Sequence, residues 1–148
     1  MLSFGRSRSR RGLASALIGE VAAIIDGMEG FEEVRKLEDM EIGADEHLDE
    51  LGAFTLPKFS VYESNANRLD LFDAAVQRRI VYFFTRAGSL TAHLHALSST
   101  DKNSTASCKQ HAIEAQKEIN DLADLGDDLL RDLRKLVSRK QTRSISRA

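Results

Sequence analysis

Two long segments of the chain repeat apolar residues at alternating steps of four and three, the spacing that places them on one face of an α-helix. In the first segment these residues are Val76, Ile80, Phe83, Ala87, Leu90, Leu94 and Leu97. In the second they are Cys108, Ala112, Ala115, Ile119, Leu122, Gly126, Leu129, Leu133 and Leu136. The polar turn SSTDKNSTAS separates them. Because so short a turn leaves consecutive helices antiparallel, we predict a helical hairpin with helices over about 74–98 and 104–138.

Details of this hairpin follow from the same pattern. Asp73 is a suitable N-cap for the first helix. Counting outward from the turn predicts that Leu94 faces Cys108 and that Phe83 faces Ile119. Small residues of the second helix, including Gly126, leave room for the aromatic rings of the first.

A third periodic segment, with Leu17, Val21 and Ile24 on its apolar face, predicts a helix over about 13–42. The intervening residues, about 44–69, would span nearly the same length as a helix, about 39 Å, but they contain Pro57. Proline lacks the N–H that a continuing helix needs. The fold class we predict is therefore all-α, an antiparallel up-down-up-down bundle whose second element is broken at Pro57.

After the break we predict a second helical piece with Ser60 as its cap. Tyr62 should pack inward, and the side chain of Asn65 should hydrogen-bond backbone that Pro57 leaves unpaired. These three residues, Pro57, Tyr62 and Asn65, form the structural motif of the broken element.

Composition indicates one soluble globular domain, since 42% of the 148 residues are hydrophobic and 30% are charged. We predict a disordered basic arm over 1–12, a bundle over 13–138 and a disordered basic tail over 139–148. The single cysteine, Cys108, allows no internal disulfide. No apolar run approaches the roughly 18 residues that span a bilayer. Whether the arm is a targeting peptide is left open by its composition.

The net charge of −2 conceals a strong asymmetry. The last eighteen residues hold seven basic residues against Asp132, a net charge of +6, and the first twelve hold four arginines. Residues 29–50 hold ten carboxylates against two bases, a net charge of −8. Both chain ends of an up-down-up-down bundle meet at one pole. The sequence thus predicts a basic pole, and the residues we assign to it as a membrane or partner surface are Arg6, Arg8, Arg10, Arg11, Arg134, Lys135, Arg139, Lys140 and Arg143.

The stretch LPKFSVYESNANRLDLF, followed by IVYFF, is similar to a motif found in a group of small bacterial helical proteins. The matching residues are Leu56, Pro57, Val61, Tyr62, Asn65, Leu69, Leu71, Ile80, Val81, Phe83 and Phe84. Many members of that group carry an N-terminal membrane-spanning helix, where this chain has serines and arginines, and Asp70 and Asp73 replace the group's glycine and proline. The group has no assigned activity, so the resemblance implies a helical fold next to a membrane and no chemistry.

Motifs that would indicate catalysis are missing from the sequence, which has no glycine-rich phosphate loop, HExxH or CxxC. We predict no enzyme, no cofactor and no small-molecule substrate. Cys108 falls on the apolar face, which is typical of an inert buried thiol. His93 and His111 fall at nearly the same level of the hairpin. They are the candidates for a weak metal site or a proton-sensitive contact.

Three functions are compatible with these features. The favoured one is a non-enzymatic interaction module in the cytoplasm that docks peripherally on an anionic membrane at its inner face, or on an unknown protein, through the basic pole. A homo-oligomer is a further open alternative. A nucleic-acid-binding protein using the arginine-rich ends is disfavoured, because the ends lack interleaved aromatic residues. A metal-dependent or pH-sensitive bundle would use His93 and His111.

Overall fold

The computed structural model describes residues 2–38, 56–99 and 105–145, and within them the side chains of 5–6, 8–28, 56–95 and 113–138. In chain order these residues form α1 (Leu2–Glu38), α2 (Ser60–Ser64), a 3-10 helix (Ala66–Leu71), α3 (Ala74–Ser99) and α4 (Thr105–Ile145). None of the described residues belongs to a strand. The prediction of an all-α bundle is confirmed, while the predicted end of the first helix near residue 42 and the predicted helical piece before Gly52 lie outside the described residues.

The two chain ends differ from the prediction. Helix α1 begins at Leu2 and α4 continues to Ile145. Residues 2–12 of the predicted disordered arm are therefore helical, and so are residues 139–145 of the predicted tail. Arginine has a high helix propensity, and extending a helix already fixed by packing needs no new nucleation. The packing anchors are near the ends, with Leu13 buried in α1 and Leu133 buried in α4.

The structure describes the second half of the predicted broken element, from residue 56 onward. We call residues 56–72 the strap. Its first four residues, Leu56–Phe59, are not helical, and α2 and the 3-10 helix follow. The strap runs antiparallel to α1: Pro57 lies at Gly27, and the carbonyl oxygen of Asp70 lies 3.1 Å from a guanidinium nitrogen of Arg6. Pro57 thus lies in a non-helical stretch, as the prediction requires, while the half of the element before residue 56 lies outside the described residues.

Helices α3 and α4 form the predicted antiparallel hairpin, and Asp73 caps α3 by accepting a hydrogen bond of 2.9 Å from the backbone N–H of Val76. The predicted register is wrong, but the predicted room for an aromatic ring at Gly126 is confirmed. A ring carbon of Phe83 lies 3.1 Å from the position that a Cβ on Gly126 would occupy. Gly126 is seven residues beyond Ile119, the predicted partner. Seven residues are close to two turns of a helix, so the same faces meet in both registers.

Ion pairs along the edge of the hairpin agree with this register. Arg79 pairs with Asp132, and a guanidinium nitrogen of Arg86 lies 3.5 Å from a carboxylate oxygen of Asp121. The three basic residues of this edge, Arg79, Arg86 and His93, recur every seven residues on α3. Opposite charges aligned across an antiparallel pair favour one register over its neighbours.

The core consists of the predicted apolar faces. Within the described side chains, α1 contributes Leu13, Ala14, Leu17, Val21, Ile24 and Met28. Helix α3 contributes Val76, Ile80, Phe83, Phe84, Ala87, Leu90 and Leu94. Helix α4 contributes Ala115, Ile119, Leu122, Leu129, Leu130 and Leu133. The strap adds Leu69 and Phe72. Both α1 and α3 pack on α4, so α4 is the central helix of the bundle.

Candidate functional site

The strap is held in place by a glutamate of α1 for which the sequence pattern predicts no role. Glu20, on the inward side of α1, is 8% exposed. Its two carboxylate oxygens accept hydrogen bonds from the backbone N–H groups of Val61 (2.9 Å) and Tyr62 (2.8 Å), in the first turn of α2. An N-cap side chain normally makes such bonds within its own helix, but here the cap comes from 41 residues away. Ser60, the predicted cap, is instead the first residue of α2.

The predicted roles of Tyr62 and Asn65 are met in part. Tyr62 is half-buried and its ring stacks on that of Phe84, with centroids 4.3 Å apart. Asn65 donates a hydrogen bond of 2.8 Å from Nδ2 to the carbonyl of Val61. That carbonyl belongs to α2 itself, so Asn65 closes the end of the short helix. It does not satisfy backbone that Pro57 leaves unpaired.

The described residues around His93 do not form a metal site. Glu118 lies 3.3 Å from Nδ1 of His93, and Glu114 lies 3.8 Å from Nε2. Because the carboxylates face different ring nitrogens, they cannot join this imidazole around one ion, which takes a single imidazole nitrogen. Nowhere in the described part of the chain do three or more metal-ligating side chains cluster. The side chain of His111 lies outside the described residues, so its pairing with His93 stays a prediction.

The predicted basic surface maps to one end of the bundle. We define the basic end as the start of α1, with Arg6, Arg8, Arg10 and Arg11, together with α4 from Arg131 to Ile145. Arg6 and Arg8 are exposed, whereas Arg10 and Arg11 are half-buried. Arg6 and Arg10 continue the apolar stripe of α1 backward from Leu13 at the same helical spacing. The inward face of α1 therefore changes from leucine to arginine where the core ends.

The α4 half of the basic end is partly described. Arg134 and Lys135 are exposed. Arg139, Lys140 and Arg143 lie on the helical backbone of α4, with side chains outside the described residues. From Arg131 to Ile145, α4 holds six basic residues and one acidic residue, Asp132, a net charge of +5.

An exposed apolar pair on α3 was not predicted as a surface. Val81 is 42% exposed and Tyr82 is 52% exposed. The guanidinium carbon of Arg86 lies 5.9 Å from the centre of the Tyr82 ring. Their exposure could have been predicted from the sequence, because they lie between Ile80 and Phe83 and therefore off the inward face of the helix.

The comparisons with known proteins give no match: neither a family model, nor a curated protein, nor a solved structure corresponds to the chain. The resemblance to small bacterial helical proteins accordingly stays a prediction. No helix of the described residues has the length and the apolar character needed to cross a membrane.

Proposed function

We propose that the protein is a non-enzymatic helical bundle that attaches peripherally to an anionic membrane surface through its basic end. The observation that carries the proposal is the meeting of two cationic helix ends at one end of the core. This arrangement concentrates positive charge at one end of the protein, although the net charge of the whole chain is only −2.

Two contacts support the meeting of these ends. Arg6 donates its hydrogen bond to the carbonyl of Asp70, four residues before the start of α3. Arg79, in the second turn of α3, pairs with Asp132 of α4. The start of α1 and the second half of α4 therefore both lie beside the beginning of α3. Acidic groups near this end are in part already engaged, since Asp73 caps α3 and Asp132 pairs with Arg79.

Helix stability alone does not account for the distribution of charge. Cations near the end of α4 are favoured by the helix dipole, but the same dipole disfavours cations at the start of a helix. Helix α1 nevertheless has four arginines and no acidic residue before Glu20. Attraction to anionic lipid, at about 1 kcal/mol for each basic residue near the surface, gives these arginines a function that helix stability does not.

The test is sedimentation of the full chain with vesicles of phosphatidylcholine, alone or mixed with phosphatidylserine. We expect binding only to the mixed vesicles, and release at about 0.5 M salt, where charges are screened within a few ångström. The double variant Arg134→Glu/Lys135→Glu should bind about 30-fold more weakly or worse, because two attractive charges become repulsive.

The matched control is Lys58→Glu/Lys117→Glu. These two lysines are also exposed, and their reversal changes the net charge by the same amount away from the basic end. Equal losses in both double variants would show that net charge, not the basic end, drives binding. Binding to neutral vesicles, or binding to duplex nucleic acid with no response to vesicles, would refute the proposal.

A further inference from the structure

Large hydrophobic side chains are exposed at three positions in the described part of the chain: Val81 and Tyr82 on α3, and Ile113 on α4. Val81 and Tyr82 are neighbours in sequence, and both lie away from the core face of α3, which carries Ile80 and Phe83. Single exposed apolar residues are common on protein surfaces. An adjacent aliphatic and aromatic pair on one short surface calls for a closer look at its surroundings.

The surroundings of this pair are cationic. Helix α3 contains three arginines and two histidines, and its 26 residues include no aspartate or glutamate. Arg78 is exposed one turn before the pair. Arg86 lies against the Tyr82 ring and also pairs with Asp121, which holds the ring and the guanidinium together at the surface. Helix α3 itself brings no carboxylate to this surface, and Asp121 of α4, which lies beside it, is paired with Arg86, so its charge is in part offset there.

The pair also lies next to the basic end. Helix α3 begins four residues after Asp70, the residue whose carbonyl accepts the hydrogen bond from Arg6. Tyr82 is eight residues into α3, which corresponds to about 12 Å along the helix axis. Along the helix axis, the apolar pair therefore lies close to the basic end.

We propose that Val81 and Tyr82 are the membrane anchor of the protein, inserting into the boundary between headgroups and acyl chains of an anionic bilayer. This inference rests on the proposed function and adds its apolar component. Tyrosine suits this boundary because its ring is apolar and its hydroxyl remains hydrated. Arg78 and Arg86 flank the pair at the height of the lipid phosphates, and the basic end supplies the long-range attraction.

The chain offers a direct test because it contains no tryptophan. The full-length variant Tyr82→Trp reports the polarity around its one indole by fluorescence. On vesicles containing phosphatidylserine we expect its emission to move to shorter wavelength, with quenching by brominated lipid. The matched variant is Ile113→Trp, because Ile113 is 64% exposed and lies beside Glu114 in the first half of α4, away from the basic end. Its emission should not change.

A second measurement addresses affinity. The variants Val81→Ser and Tyr82→Ser should each weaken binding to anionic vesicles about tenfold, the lower end of the effect of removing a large apolar side chain from a buried position. Ile113→Ser should bind like the wild type. Thermal unfolding of each variant verifies that the fold is intact.

The possible outcomes separate the two proposals. If sedimentation demonstrates binding but the emission of the Tyr82→Trp variant does not move, the anchor is wrong while the proposed function stands. If the chain does not bind anionic vesicles at all, both are wrong. An emission shift that depends on protein concentration in the absence of lipid would mean that a second copy covers this face, and that result also overturns the anchor.

Discussion

The contact between α3 and α4 and the contact between α1 and the strap stabilise the same bundle in different ways. The first is periodic and apolar, with Phe83 packed at Gly126. The second is irregular, and its main link is the carboxylate of Glu20 bonded to two backbone N–H groups of α2. A periodic contact distributes its stability over many side chains, whereas an irregular one depends on single polar groups. The contrast predicts different responses to mutation.

The largest expected effect belongs to the periodic contact. Phe83 is completely buried, and its ring meets that of Phe84 edge to face with centroids 5.2 Å apart. Phe83→Ala should lower the free energy of unfolding by about 3–5 kcal/mol, because Gly126 has no side chain to fill the cavity. Urea unfolding measures the loss. Tyr82→Ala, one residue away but half exposed, should cost under about 1 kcal/mol, and equal losses would contradict the proposed packing.

An intermediate effect is expected in the strap. Glu20→Leu removes the acceptor of the Val61 and Tyr62 N–H groups and should cost about 2 kcal/mol, since a buried donor left unpaired costs about 1–3 kcal/mol and the leucine recovers part of this by burial. Hydrogen exchange at the amides of Val61 and Tyr62 should become faster, while the amide of Phe83 keeps its protection.

The control for this variant is Asp26→Leu, at an exposed position of the same helix. Its free energy of unfolding should stay within about 0.5 kcal/mol of the wild type. The exchange rates of the Val61 and Tyr62 amides should not change. Unchanged exchange of the two α2 amides in Glu20→Leu would mean that the carboxylate does not hold the strap.

The smallest effects are expected at two glycines, of which only one should tolerate an added methyl group. A Cβ on Gly27 would lie 3.7 Å from Cδ of Pro57, an ordinary contact. Gly27→Ala should therefore stabilise α1 by about 0.5–1 kcal/mol. A Cβ on Gly126 would lie 2.7 Å from Cδ1 of Ile25 and 3.1 Å from Phe83. Gly126→Ala should give no gain or a loss, and a higher melting temperature for this variant would refute the close approach of the helices.

The fold could be predicted from the sequence to the level of helix faces. Every residue of the predicted α3 face whose side chain is described, from Val76 to Leu94, is buried. The register could not be predicted, because a repeat of about seven residues pairs equally well with itself after a shift of two turns. The observed register places Phe83 at the space beside Gly126 and aligns opposite charges at the hairpin edge, and neither feature alters the apolar pattern.

The capping of α2 by Glu20 could not be predicted from the sequence either, for a related reason. Capping rules apply to neighbours in sequence, whereas Glu20 and α2 are separated by about forty residues. The available hint was a carboxylate among Leu17, Val21 and Ile24, since a charge on an inward face needs a partner. Of the candidate site, the basic residues themselves were identifiable from composition. Their helical setting was not, because charge-rich ends resemble disordered ones.

The packing of Phe83 at Gly126 has a consequence for how the chain folds. A hairpin displaced by seven residues keeps its apolar stripes in contact, so it is a competing energy minimum close to the native one. It would place the Phe83 ring against Ile119 and leave an empty space beside Gly126. Part of the energy gap between the two states therefore comes from the missing side chain at Gly126 and from the pairs Arg79–Asp132 and Arg86–Asp121. Screening those charges with salt during refolding narrows the gap and allows displaced hairpins to accumulate as kinetic traps.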